Sequence, residues 1–404
     1  MDYFKKFKGG SQDKIQNSGQ KSDKPWLKPL LIVVGILVLI GGFFAIKTGL
    51  MFSKITNGGN ILSSFSHVIP GIGQEIKGQK EGRINVLLLG MRGADDPAGG
   101  TLADTIMVMS IMPKENKVSL VSVPRDLWVK DPGRESSSKI NAVHAQGEEG
   151  GKKQGLANMK EVIGQVSGLT IHYAASIDFK GFKDLVDSLG GVSIHLDNSF
   201  SEPLQFLGAT GRCDLTTFTV PTGQVETKKN TDIKGRTTIR HYDICATKTP
   251  SECGGNFKLE AGDLTLTGDQ ALCFSRSRDT TSDFERAKRQ QIILQKIEEK
   301  AVSIGTLTDF NKLNGMIDAL GNNVRTDMEA WEMKALYDVY KTMTKPQVVQ
   351  RVLENSEEGL LYNPPEDPSK GYILLPIGDN YDKIKNLFQN ILTLPAQSDI
   401  KPKI

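Results

Sequence analysis

Histidine is scarce in this chain, five in 404 residues, and cysteine scarcer at four, with no Cys-x-x-Cys or paired histidine spacing. That argues against a zinc site and leaves no triad to assemble. An excess of one charge is missing too: 50 Lys and Arg against 47 Asp and Glu give a net charge of +3. No broad basic surface follows, so nucleic acid is not an expected partner. No internal repeat is visible, and aromatic residues make up only 7%.

One long uncharged run is present. Residues 1–28 are polar and lysine-rich, whereas Pro29 to Ile46 carries no charge over 18 residues. As a helix it would be about 27 Å long, enough to cross a bilayer. It is longer than a signal-peptide core and lacks a small-x-small cleavage pattern, so a retained transmembrane helix over 29–47 is expected. Residues 1–47 hold eight lysines and three aspartates, or +5. The positive-inside rule then puts the N-terminus in the cytoplasm and the rest outside. Subtracting +5 from +3 leaves about −2 for the exterior part, which holds Cys213, Cys245, Cys253 and Cys273. Four cysteines allow three connectivities; Cys245–Cys253 is the expected local bridge, with Cys273 either bridged or a buried thiol.

Residues 48–82, with Gly58, Gly59, Pro70, Gly71 and Gly73, read as a stalk. Apolar runs at Ile84–Gly90, Thr105–Met112 and Val118–Val123 follow, each bounded by turn residues, and predict buried strands, the last two as a hairpin. Leu156–Val166 and Gly181–Leu189 predict helices, with strands at Tyr173–Phe179 and Val192–Leu196. The expected fold is an α/β sandwich, a central mixed sheet covered by helices. Residues 199–258 are polar and read as an insertion, perforated by three of the cysteines. Beyond 305, helices are expected at Leu313–Leu320, Met328–Met343 and Tyr381–Leu392, and a short strand at Tyr372–Pro376, making 305–404 an extension of an 83–304 domain.

The candidate chemistry centres on 268–304. Alternation in 271–278 predicts a strand with Leu272, Phe274, Arg276 and Arg278 on one face. Ser282 followed by Glu285 is a capping-box pattern, so a helix should begin near Asp283. On that helix Arg286, Arg289 and Gln290 continue the stripe of Ile293, Ile297 and Ala301. Arginines that prolong an apolar face, and that oppose a helix dipole, call for an anion site ahead of the alternative, a structural ion-pair network. Three further stretches stand at strand ends: Asp104 before the Thr105 strand, Arg125-Asp126 after Pro124, and Lys139-Ile140-Asn141.

Taken together, Asn85–Gly90, Asp104–Met107, Ser122–Asp126, Lys139–Ala142, Gly190–Val192 and Leu266–Leu272, ending in Arg276-Ser277-Arg278, Arg286 and Arg289-Gln290, resemble the LytR-CpsA-Psr family of membrane-anchored bacterial cell-envelope phosphotransferases. The resemblance spans roughly 82–303. It implies a domain outside the cell membrane that takes a polyprenyl-pyrophosphate-linked glycopolymer and transfers its glycosyl phosphate to a peptidoglycan hydroxyl. It also implies that Arg125, Lys139, Arg276, Arg278, Arg286, Arg289 and Gln290 hold the pyrophosphate, that Asp104 coordinates Mg²⁺, and that Asp126 orients an arginine or the metal shell. Arg92 stands where the family commonly has an aspartate, with Asp95 and Asp96 nearby. That departure keeps open a binding protein for such lipids without turnover, and because water can replace the sugar hydroxyl at the same site, a pyrophosphatase acting on them stays open too.

Overall fold

A computed structural model describes residues 75–93, 100–203, 205–207, 210–231, 237–247, 253–278, 280–303, 320, 323–343, 346–355, 360–365 and 367–394. The expected membrane helix at 29–47, most of the stalk, Asp95, Asp96 and nearly all of the expected Leu313–Leu320 helix lie outside the described residues. Among the described residues no helix is long and apolar enough to cross a membrane.

A six-stranded sheet organises the molecule, in the order Val324–Thr326, Tyr173–Asp178, Ile84–Gly93, Gly100–Met112, Lys117–Ser122 and Gln347–Val352. The three strands from 84 to 122 are antiparallel neighbours, while Tyr173–Asp178 joins Ile84–Gly93, and Gln347–Val352 joins Lys117–Ser122, in parallel. The sheet is therefore mixed, as expected. Its side chains alternate between two cores, which is why the strand sequences are continuously apolar. Val86, Met107, Met109, Val118 and Leu120 face one core, closed by the Phe179–Ser188, Gly268–Arg276, Asp283–Ser303 and Ala330–Thr342 helices. Leu87, Leu89, Ile106, Val108 and Val121 face the other, closed by Ile140–Glu148, Gly155–Ser167 and Asp382–Asn390.

Two expectations about organisation are corrected. The segment read as an extension supplies both edge strands of the sheet, Val324–Thr326 and Gln347–Val352, so the chain after 304 belongs to the same fold. The cysteines pair as Cys213–Cys245 and Cys253–Cys273, not as Cys245–Cys253. Hairpin strands Val220–Thr231 and Thr237–Ala246 carry Cys245 beside Thr210–Arg212, which brings it to Cys213. At the base of the insertion, Phe200–Glu202 pairs with Phe257–Leu259 and leaves Cys253 against the Gly268–Arg276 helix.

A third correction bears on the site. Residues 271–276 belong to the Gly268–Arg276 helix and not to a strand. Thr267 Oγ1 accepts the Gln270 N–H, and the Gln270 side chain accepts the Thr267 N–H, a reciprocal cap that starts a helix at Gly268. Alternation misled because Ala271, Cys273 and Ser275 are buried along with Leu272 and Phe274, so the helix hides nearly every side. Gly268 is required there: a Cβ would come within 2.4 Å of the Lys183 carbonyl oxygen on the neighbouring helix.

Candidate functional site

Asp104 lies inside the Gly100–Met112 strand, not before it. Gly90 pairs with Thr105 and Met91 with Ala103, so Asp104 is the extra residue of a β-bulge. Bulges turn a side chain out of the ladder. Here the carboxylate meets the loop after the third strand, and Arg125 Nη1 donates to Asp104 Oδ1 at 2.7 Å.

Pro124 ends that strand, and the loop is then fixed to the Lys139-Ile140-Asn141 stretch by backbone bonds. Ile140 N–H donates to Leu127 O at 2.8 Å and Asn141 N–H to Arg125 O at 3.2 Å. The two stretches thereby bring Lys139 Nζ to 3.0 Å from Asp126 Oδ1, with Arg125 Nε 3.5 Å from Asp126 Oδ2.

The Asp283–Ser303 helix supplies the opposite wall and begins as expected, with Ser282 Oγ accepting the Glu285 N–H at 3.1 Å. Arg286 is buried, its Nη1 3.1 Å from Asp283 Oδ1 and its Nη2 3.4 Å from the Asp104 carbonyl oxygen. Arg278 Nη1 lies 3.6 Å from Asp283 Oδ1, and Arg125 Nε 3.6 Å from Asp283 Oδ2. Three guanidinium groups thus converge on one carboxylate that composition and motif reading did not single out. Its only sequence mark is its place between a cap serine and an arginine at i+3, where an aspartate is ordinarily a helix-dipole residue.

A hollow of about 20 Å³ opens among Asp104, Arg125, Asp283, Arg286, Gln290 and Val352. The Nε groups of Arg125 and Arg286 are buried there without a hydrogen-bond acceptor. Burial pushes the Arg286 guanidinium down to about 10, a fall that Asp283 opposes and Arg125 reinforces. For Arg125 burial also acts downward, but the bond to Asp104 and the charges of Asp283, Asp104 and Asp126 outweigh it and raise the group.

Of the remaining expected residues, Gln290 lines the hollow while its amide is spent on a backbone carbonyl, and Arg289 and Arg276 are placed elsewhere. Arg289 turns away from the hollow and donates to Phe274 O at 3.1 Å, to Thr281 Oγ1 at 3.0 Å and to Ser277 O. Gln290 Nε2 donates to Ser275 O at 3.2 Å. Both hold the turn that carries Arg278. Gln205, another residue missed, clamps the same turn: its amide nitrogen donates to Arg276 O at 2.8 Å and its oxygen accepts the Arg278 N–H at 2.6 Å.

Arg276, at the end of its helix, stacks on Phe179 at 4.5 Å and Phe206 at 5.5 Å. It therefore lines a different and larger cavity of about 910 Å³, with Arg92, Phe179, Lys183, Leu272 and Phe257. Arg92 lies 5.7 Å from the Phe179 ring on that wall.

Mg²⁺ is expected at Asp104. Asp104 Oδ1 is bonded to Arg125, Asp126 and Asp283 are each held by cations, and among the described residues no three His, Cys, Asp or Glu side chains come together. Mg²⁺ binds through as few as one or two carboxylates, with phosphate and water completing its shell, so Asp104 stays the expected ligand.

The LytR_cpsA_psr family model matches residues 56–371. A Bacillus cereus protein named polyisoprenyl-teichoic acid–peptidoglycan teichoic acid transferase TagU is 26% identical over 329 residues, covering 78% of this chain and 83% of its own. Among solved structures, a Streptococcus agalactiae protein superposes with a TM-score of 0.52 at 19% identity, over 80% of this chain and 92% of its own. Bacillus subtilis TagV gives a TM-score of 0.50 at 20% identity, over 78% and 98%.

Proposed function

Because the chain belongs to the LytR_cpsA_psr family, we propose that it is a transferase that moves a glycopolymer from a polyprenyl-pyrophosphate carrier to peptidoglycan. The observation that carries the reading is the convergence of Arg125, Arg278 and Arg286 on Asp283 at the edge of the hollow, with Lys139 behind Asp126. Cations so crowded are stable only with anions among them, and a pyrophosphate diester is a compact anion of the right charge. The transferase name of the Bacillus cereus relative supports the same substrates.

In this reading the guanidinium groups neutralise the non-bridging oxygens and hold the chain of phosphorus and oxygen atoms in line. The acceptor hydroxyl oxygen bonds to the phosphorus that carries the glycan, and the P–O bond to the bridging oxygen breaks. Polyprenyl monophosphate leaves with that electron pair. The hydroxyl proton passes to the Asp104 carboxylate, which lines the hollow. Arg125 holds Asp104 in place, and Asp126 orients Arg125 and Lys139.

The setting belongs to the proposal as well: one span at 29–47, the lysine-rich N-terminus in the cytoplasm and the folded part outside the cell membrane. Two disulfides that engage all four cysteines support an oxidising surround.

The test incubates the full chain in mild detergent with a polyprenyl-pyrophosphate disaccharide, with and without peptidoglycan fragments, and reads products by mass spectrometry. A phosphodiester-linked product with equimolar polyprenyl phosphate, both dependent on acceptor, is expected. Lipid bound but unconverted would make the protein a carrier, and release indifferent to acceptor would make it a pyrophosphatase.

A further inference from the structure

Asp283 is in an unusual position for a residue of an anion site. Its Oδ1 lies 3.1 Å from Arg286 and 3.6 Å from Arg278, and its Oδ2 3.6 Å from Arg125. It occupies the point on which the three guanidinium groups converge. The fit is loose, because Arg125 Nε and Asp283 Oδ1 are both buried without a hydrogen bond. A flat carboxylate with two oxygens reaches three cations but satisfies them poorly; a tetrahedral phosphate offers more acceptors in the same space.

Charge points the same way. The linked ion pairs join four cations, Arg125, Lys139, Arg278 and Arg286, to three carboxylates, Asp104, Asp126 and Asp283, an excess of one positive charge. A doubly substituted pyrophosphate brings two negative charges. Entering beside Asp283 it would leave the cluster with an excess of one negative charge; entering in its place it would leave the cluster balanced. Asp104 and Asp126 cannot yield so readily, since each accepts a close contact of 3.0 Å or less from Arg125 or Lys139. Asp283 sits on the first turn of its helix with its side chain 27% exposed, so a change of rotamer takes it to solvent.

We propose that Asp283 is a built-in stand-in for the substrate's phosphate, holding Arg125, Arg278 and Arg286 together in the free protein and swinging out as the pyrophosphate enters. Asp283 is thus a positioning residue whose cost is competition with the ligand. The inference rests on the pyrophosphate reading above and deepens it by assigning how the anion gains entry.

The probe is inorganic pyrophosphate, titrated calorimetrically into the full chain in detergent. Asp283→Asn keeps the shape and the Ser282 cap, and Asp283→Ser removes the group altogether. Each variant should bind about fivefold more tightly than the wild type, the effect of removing one partly exposed competing charge. A merely structural Asp283 would give the opposite sign, because disordered arginines bind more weakly. Arg278→Ala in the Asp283→Asn background should abolish the gain and so place the probe at this cluster. Wild-type binding with equal or weaker binding by both variants would overturn the stand-in. No binding by any of the proteins would instead bring down the pyrophosphate reading itself.

Discussion

Arg289 and Arg278 are eleven residues apart, both belong to the set expected to hold phosphate, and the structure gives them opposite roles. Arg289 is 7% exposed and donates to three acceptors in the 274–281 turn. The Arg278 side chain is 41% exposed and makes a 3.6 Å ion pair with Asp283. Replacing Arg289 by Met keeps most of the stem's packing and removes only the donors. Hydrogen bonds from a charged donor are worth about 1.5 kcal/mol each at the low end, so three lost together cost about 4.5 kcal/mol. At roughly 2 °C per kcal/mol for a chain of this size, Arg289→Met should melt about 9 °C below the wild type. Arg278→Met loses a partly exposed pair worth under about 1 kcal/mol, and its melting temperature should hardly move. Its transfer rate should fall by about 10² to 10³, the effect of losing one charge-stabilising donor in the transition state, and its pyrophosphate affinity should fall with it. Thermal unfolding and calorimetric titration of both variants decide the matter. An Arg289→Met protein that melts with the wild type yet has lost pyrophosphate binding would return Arg289 to the phosphates and refute this account.

Three other outcomes are expected. Asp104→Ala frees Arg125, so transfer should drop and stay low at saturating Mg²⁺; a rate fully restored by high Mg²⁺ would instead limit Asp104 to holding the metal. Burial lowers His172 and His144 from the ordinary histidine value, and His172 Nδ1 accepts the Asn85 N–H at 2.9 Å, which requires the neutral ring. Stability from these groups is complete above the unfolded value of about 6.5 and is lost as pH falls through the lower folded values, so the urea midpoint should decline below pH 6; an identical decline in a His144→Gln/His172→Gln double variant would acquit both. Removing Cys253–Cys273, which closes a 20-residue separation, should cost about 3 kcal/mol and slow transfer by loosening the helix that leads into Arg278. Removing Cys213–Cys245, in the outlying hairpin, should leave transfer intact, and equal effects on the rate from the two bridges would contradict this division.

The sheet was legible because burial on both faces writes itself as uninterrupted apolar runs, as at Ile84–Gly90. The helix bearing Arg286 was legible from Ser282 and Glu285 alone. What escaped depended on partners far along the chain. Gln347–Val352 alternates too weakly to announce a strand, and only pairing with Lys117–Ser122 makes it one. The Gly268–Arg276 helix escaped because burial on all sides erases the helical period, although its Thr267 and Gln270 cap was there to be read. At the site, proximity of Arg276 to Arg278 in sequence suggested one shared face. The helix end between them sends one to Phe179 and the other to Asp283.

The last strand of the sheet has a consequence for how the protein comes into being. Every charged residue of the anion cluster has been synthesised by position 286, yet the hollow is not walled until Val352 arrives. Gln291 waits for the same strand, donating to Arg351 O at 3.1 Å as well as to Ser122 Oγ at 2.8 Å. Until then Lys117–Ser122 is an open edge with unpaired backbone groups, an invitation to pair with another chain. A polypeptide stopped near residue 304 would carry the complete set of arginines but leave that edge open, so it is expected to associate where the full chain does not.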